Sequence, residues 1–130
     1  MFRLKVDEEI EIRMFDESEA ETVFALVDRN REYLRQWLIW VDRSDSPEVT
    51  RQFIKDSKRL YENKEAMSAG IWLNGELVGA TGIVSYEWHN RMMEIGYWLS
   101  ADQQGKGIIT RVVTALINDA FNNLGMNRVE

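Results

Sequence analysis

The sequence predicts an α+β fold, a mostly antiparallel central sheet flanked by helices, and three features carry that expectation. Two apolar runs, 67–73 and 76–86, are joined by Asn74-Gly75, a dipeptide whose tolerance of positive φ suits a type I′ hairpin. Residues 108–124 repeat apolar side chains every three or four positions, the period of a helix with one face in a core. Charged residues crowd the first half and thin out in the second, which suggests solvated helices first and a buried sheet afterwards.

In chain order, Ile10, Ile12 and Met14 alternate with Glu9, Glu11 and Arg13, the period of a half-buried strand. Asp16 and Glu19 have the spacing of a capping box, opening a helix with Ala20, Val23, Phe24 and Val27 on one face. Leu34, Trp37, Leu38 and Val41 continue a helical stripe past a bend near Asn30, and the polar run 43–46 breaks it. Ser46 as N-cap with Pro47 at the first helical position starts the next helix, whose buried face reads as Val49, Phe53, Ile54, Leu60 and Tyr61. After the hairpin, Trp88, His89 and Asn90 form a second turn and 91–100 a third long strand, completing a meander. The 108–124 helix follows, Gly125 closes it, and a last strand begins at Met126.

A chain of 130 residues that is 45% apolar, with one proline and no low-complexity tract, reads as one domain, 1–130. The absence of cysteine excludes disulfides, iron–sulfur clusters and cysteine nucleophiles. The single histidine, His89, sits in a turn and reads as a turn residue rather than a base; no metal centre is expected. Sixteen Lys and Arg against twenty-two Asp and Glu leave a net charge of −6, which argues against nucleic acid and anionic membranes as partners and favours cationic acceptors. The first ten residues lack the apolar stretch of a signal peptide, and no apolar run reaches membrane-spanning length, so the expected compartment is the cytoplasm.

The chemistry concentrates in 94–108: a strand, a polar turn with Gly105 and Gly107, and then the strongest helix. A helix N-terminus offers unpaired N–H groups and the positive end of the macrodipole, and glycines let a ligand approach the backbone. Lys106 and Arg111 add two cations, so the segment reads as a phosphate cradle; a glycine turn that only reverses the chain into a helix is the plainer alternative. Neither the P-loop nor the dinucleotide fingerprint is present.

Gln104-Gly105-Lys106-Gly107-Ile108 resembles five of the six places of the pyrophosphate-binding signature of the GCN5-related N-acetyltransferases (GNAT), Q/R-x-x-G-x-G/A; Ile109 stands where the family has glycine or alanine. Asn30-Arg31-Glu32-Tyr33-Leu34 with Trp37-Leu38-Ile39-Trp40, Glu94-Ile95-Gly96-Tyr97, and Leu124-Gly125-Met126-Asn127-Arg128-Val129-Glu130 are similar, in the same order, to segments of the subgroup that acetylates the amino termini of ribosomal proteins. The resemblance implies an acetyl-CoA-dependent N-acetyltransferase that moves the acetyl group directly to a primary amine. A protein N-terminal α-amine comes first; polyamines and aminoglycosides, or a module that binds coenzyme A without turnover, are the alternatives.

It further implies that the pantetheine arm pairs with the backbone of Gly96, Tyr97, Trp98 and Leu99. The pyrophosphate would lie on Gln104, Gly105, Lys106, Gly107, Ile108 and Thr110, and Glu94 would relay the proton from the amine. Trp37 and Trp40, three apart, fall on one helical side, either in the core or as an aromatic wall for the acceptor. Set against the family, the chain is expected to stop just after the start of the family's fifth strand, leaving a closing helix and hairpin absent or replaced by association with a second copy.

Overall fold

A computed structural model describes residues 2–130. The strands are β1 (Arg3–Lys5), β2 (Ile10–Met14), β3 (Met67–Leu73), β4 (Glu76–Glu87), β5 (Met92–Leu99) and β6 (Arg128–Val129). The main helices are α1 (Ala20–Arg29), α2 (Arg31–Leu34), α3 (Pro47–Glu62) and α4 (Ile108–Asn123). One six-stranded sheet runs in chain order from β1 to β6. The first five strands pair antiparallel; α4 carries the chain back over the sheet, so β6 lies parallel to β5.

Alternation decides the layers. Ile10, Ile12, Met14, Ala69 and Ile71 face α4, which answers with Ile108, Val112, Leu116 and Ala120. Phe15, Trp72 and Leu77 face the other way and pack with Val23 and Leu26 of α1 and Ile54 of α3. Asn74 at φ 49° and Gly75 at φ 84° form the β3–β4 turn, as the dipeptide predicts.

The capping box at Asp16 forms: Asp16 Oδ2 accepts the Ser18 N–H at 3.0 Å and Glu19 Oε1 accepts the Asp16 N–H at 2.8 Å. Residues 17–19 make a 3₁₀ turn before α1 begins. Ser46 caps α3, its Oγ accepting the Val49 N–H at 3.3 Å, with Pro47 first in the helix. Replacing Ser46 with alanine should cost about 1 kcal/mol, read as a lower denaturant midpoint at unchanged slope.

Three expectations change. The buried face of α3 is Thr50, Ile54 and Ser57, whereas Val49, Phe53 and Leu60 lie on the surface. The two stripes stand roughly 100° apart on the helix, and α3 turns the smaller residues inward because it lies close against α1 and β3. The helical stripe beyond Asn30 ends at Leu34, and 35–40 runs as turns. Strand β1, absent from the sequence expectation, pairs Leu4 with Ile12; its signal is the alternation of Phe2, Leu4 and Val6 with Arg3 and Lys5.

Candidate active site

Strand β5 organises the site. On one edge it pairs with β4, with Gly82 opposite Gly96 and Thr81 opposite Tyr97; Thr81 Oγ1 donates to Gly96 C=O at 2.9 Å. On the other edge, Glu130 N–H donates to Met93 C=O at 2.9 Å and Ile95 N–H donates to Glu130 C=O at 2.8 Å. Main-chain groups alternate in direction, so those of Tyr97 and Leu99 point to this second edge and those of Gly96 and Trp98 to β4. Of the four residues expected to pair with an extended ligand, Tyr97 and Leu99 thus face outward. The Leu99 carbonyl already accepts from Gln104 Nε2 at 3.3 Å, which pins the following loop across the strand end.

A groove of about 300 Å³ lies at that end. Tyr33, Leu34, Trp37 and Leu38 form one wall, Tyr97, Trp98 and Leu99 the other, and Gln104 and Ile109 close it. Trp37 is 62% exposed and sits edge-on to Tyr33 with ring centroids 4.8 Å apart. Trp40 does not line the groove; its ring stands 6.3 Å from that of Trp98, behind the wall. Neither tryptophan lies on a helix, correcting the expected common helical side. The loop takes this shape because the Arg31 guanidinium donates to the Val41 and Ser44 carbonyls, closing it over buried Leu34 and Val41.

Tyr33, Leu38 and Ile109, which the sequence reading leaves without a role, contribute side chains here. The signal for Tyr33 is its four-residue offset from Trp37. Ile109, in place of the expected glycine or alanine, fills the floor, while Ile108 is 1% exposed and belongs to the core, leaving only its backbone for a ligand.

The floor leads into the 104–107 loop. Gly105 at φ 79° and Gly107 at φ 73° are left-handed, and a Cβ at either would meet no atom within 4 Å. Gly107 is the N-cap of α4 and brings no side-chain cap; the first backbone bond of the helix is Arg111 N–H to Gly107 C=O at 3.1 Å. The preceding N–H groups therefore border open space, and Thr110 is exposed in the same turn. This cradle fits a pyrophosphate, with close access to backbone donors at a positive helix end.

Of the two cations, Lys106 stays at the loop, donating to Gln103 Oε1 at 3.1 Å. Arg111 is shared: Nη1 donates to Asp7 Oδ2 at 2.8 Å and to Glu9 Oε1 at 3.4 Å, while Nε and Nη2 donate to the Gly107 and Lys106 carbonyls, each at 3.4 Å, so the guanidinium stays against the loop. Asp7 is held below its ordinary pKa of 3.8, first by the Glu9 and Ile10 N–H groups it accepts and then by Arg111. Its contribution is therefore complete above the unfolded value and is lost as pH falls through the lower folded one, so at neutral pH Arg111 remains engaged with carboxylates. Both expected cations thus stand at the loop, Arg111 with its charge shared with two carboxylates.

Glu94 is exposed on β5 and does not line the groove. Alternation puts it on the same face as Gly96 and Trp98, four residues or roughly 13 Å up the strand from Trp98. His89 is exposed in the β4–β5 turn. Among the described residues, no group of three or more His, Asp or Glu is arranged to hold a metal ion, and no helix is long and apolar enough to cross a membrane.

The comparisons with known proteins agree on the fold. The putative ribosomal N-acetyltransferase YdaF of Bacillus subtilis is 36% identical over 130 residues, covering 99% of this chain and 71% of that protein. The ribosomal-protein-serine acetyltransferase of Escherichia coli is 32% identical over 115 residues, covering 88% of this chain and 64% of that one. The solved structure of RimL, a ribosomal L7/L12 α-N-protein acetyltransferase in complex with coenzyme A, superposes with a TM-score of 0.93 at 28% identity, over 98% of this chain and 72% of RimL. The model of the acetyltransferase (GNAT) domain matches residues 9–130, and with it the chain belongs to the GNAT acetyltransferase family.

Proposed function

We propose that residues 1–130 act as one acetyltransferase domain that binds acetyl-CoA along β5 and the 104–107 loop and acetylates a protein N-terminal α-amine. The observation that carries this reading is the meeting of an aromatic groove with an uncapped helix N-terminus at the end of β5. RimL, named for coenzyme A and for an α-N-protein substrate, and two relatives named for ribosomal proteins support it. Acetyl-CoA supplies the acetyl group as an activated thioester.

In this reading the outward backbone groups of Tyr97 and Leu99 pair with the extended arm, Gly96 keeps that stretch uncrowded, and Trp98 backs it. Gln104 holds the loop in place, while the N–H groups of Gly105, Lys106, Gly107, Ile108 and Thr110, together with the Lys106 ammonium, hold the pyrophosphate. Trp37 forms the acceptor-side wall, and Trp40, outside the groove, backs the opposite wall at Trp98. The groove orders donor and acceptor in one frame, which supplies most of the acceleration.

An amine must be neutral to attack. At pH 7 about one α-amine in ten is neutral, against roughly one lysine in 2,500, so the α-amine needs little help from a base, and Glu94, which stands outside the groove, acts on it through a water relay. A peptide with a free α-amine should release free thiol from acetyl-CoA, whereas the same peptide blocked at its N-terminus but carrying lysine, and spermidine, should not. Acetylation of lysine or spermidine alone would overturn the choice of acceptor. Glu94→Gln should lower turnover roughly 10–100-fold at pH 6.5 and less at pH 9, with coenzyme affinity within about twofold. An unchanged pH–rate profile would remove Glu94 from the mechanism.

A further inference from the structure

Asn30 joins the two walls of the groove. It is 7% exposed at the junction of α1 and α2, where its N–H closes α1 on Val27 C=O at 3.1 Å and its C=O accepts the Leu34 N–H at 2.8 Å. Its side chain reaches seventy residues along the sequence. Nδ2 donates to Leu26 C=O at 2.9 Å, and Oδ1 accepts the Ala101 N–H at 3.0 Å. Ser100 Oγ is 3.2 Å from the same Oδ1 and 2.5 Å from Asp102 Oδ1. A hydroxyl carries one proton, and the shorter contact to the carboxylate takes it, so the Ala101 N–H is the bond that ties the two segments.

On the α2 side of this bridge stand Tyr33, Leu34 and Trp37; on the other, Leu99 ends β5 and Gln104 begins the loop. The amide offers a donor to Leu26 and an acceptor to Ala101 from one buried side chain, and an isosteric leucine or aspartate breaks at least one bond. We propose that Asn30 is a positioning residue that sets the spacing of the acceptor wall from the coenzyme strand and loop, so that one side chain governs both substrates. The proposal rests on the coenzyme and acceptor reading above for its kinetic consequence, and on the bridge alone for its mechanical one.

Ala101→Pro breaks the bond. Residue 101 is exposed and opens a 3₁₀ turn, and Ser100 at φ −56°, ψ 142° already has the conformation required before proline, so the backbone accepts the ring; its Cδ takes the place of the N–H and pushes the Asn30 amide away, so the bridge is lost. KM for acetyl-CoA and KM for the acceptor peptide should both rise roughly fivefold or more. Amide exchange should quicken in 104–107 and in 34–40 together. Val23→Ala, which removes packing from the same helix away from the bridge, should leave both KM values within about twofold and both segments unaffected, although it destabilises the fold more. Asn30→Ala should reproduce the Ala101→Pro pattern.

KM values within about twofold of the parent for Ala101→Pro, or loosening of one segment without the other, would overturn the proposal. A parent chain that neither binds acetyl-CoA nor releases thiol would overturn the functional reading instead. The exchange measurement would still decide the bridge.

Discussion

Gly107→Val is expected to weaken acetyl-CoA binding about 100-fold while the protein stays folded, a loss of about 2.7 kcal/mol in calorimetric titration. Two effects add. A β-branched residue at φ 73° is strained by roughly 1–2 kcal/mol or more, and the loop relieves the strain by turning its N–H groups away from their shared focus. The isopropyl group also occupies the open space that the pyrophosphate needs, since nothing else lies within 4 Å of its first carbon. Gly107→Ala should fall between valine and the parent. Because the position packs against nothing, the fold should lose no more than that strain, about 1–2 kcal/mol, read in the thermal midpoint. A valine variant that binds within threefold of the parent would mean that the loop does not hold the phosphates.

Gly82→Ala should have the opposite signature, a loss of more than about 3 kcal/mol in stability whether or not ligand is present. Gly82 lies in mid-sheet, opposite Ser68 on β3 and Gly96 on β5. A Cβ there would overlap the Met67 carbonyl oxygen and come within 3.0 Å of its carbon and 3.1 Å of Ser68 Cα. All three are backbone atoms fixed by strand pairing, so the sheet must part rather than a side chain yield. Gly75→Ala is the useful contrast. Its added methyl meets nothing, and only φ 84° opposes it, so its cost should be about 1 kcal/mol. Urea unfolding of the two variants separates steric exclusion from conformational strain, and a cost below 1 kcal/mol for Gly82→Ala would contradict the packing described.

The comparison of sequence with structure divides along physical range. Signals complete within a few residues transfer directly: Asn74-Gly75 makes its turn, Asp16 with Glu19 and Ser46 with Pro47 make their caps, and the 108–124 period makes α4. Signals settled by distant partners do not. Arg111 reads as a free cation beside the loop, whereas Asp7, 104 residues away, pairs with it. Trp37 and Trp40 read as helical until Arg31 folds 35–44 into a loop. The buried stripe of α3, Thr50, Ile54 and Ser57, is the less apolar of the two, and the choice belongs to α1 and β3. In the site, the 104–107 loop and β5 are legible from the glycines and from the family resemblance. The groove's other wall depends on the Arg31 guanidinium reaching past the helix to the Val41 and Ser44 carbonyls, and the amide of Asn30 that holds it on a contact spanning more than half the chain.

The order of strands in the sheet also bears on how the site assembles. The β3–β4–β5 meander closes through turns of two and four residues, whereas β2 and β3, adjacent in the sheet, are separated by residues 15–66. Closing that connection costs about 2 kcal/mol more chain entropy than closing the β4–β5 turn, and α1, α2 and α3 all lie within it. The meander, with β5 already in register, therefore gains its contacts early in folding, and the wall of Tyr33, Leu34, Trp37 and Leu38 arrives with the late docking of β2. The same arithmetic runs in reverse for spontaneous opening, so the half of the groove that would choose the amine is the less protected half. Amide exchange graded from α2 to β4 would read that difference directly, with slow exchange in α2 as the contrary result.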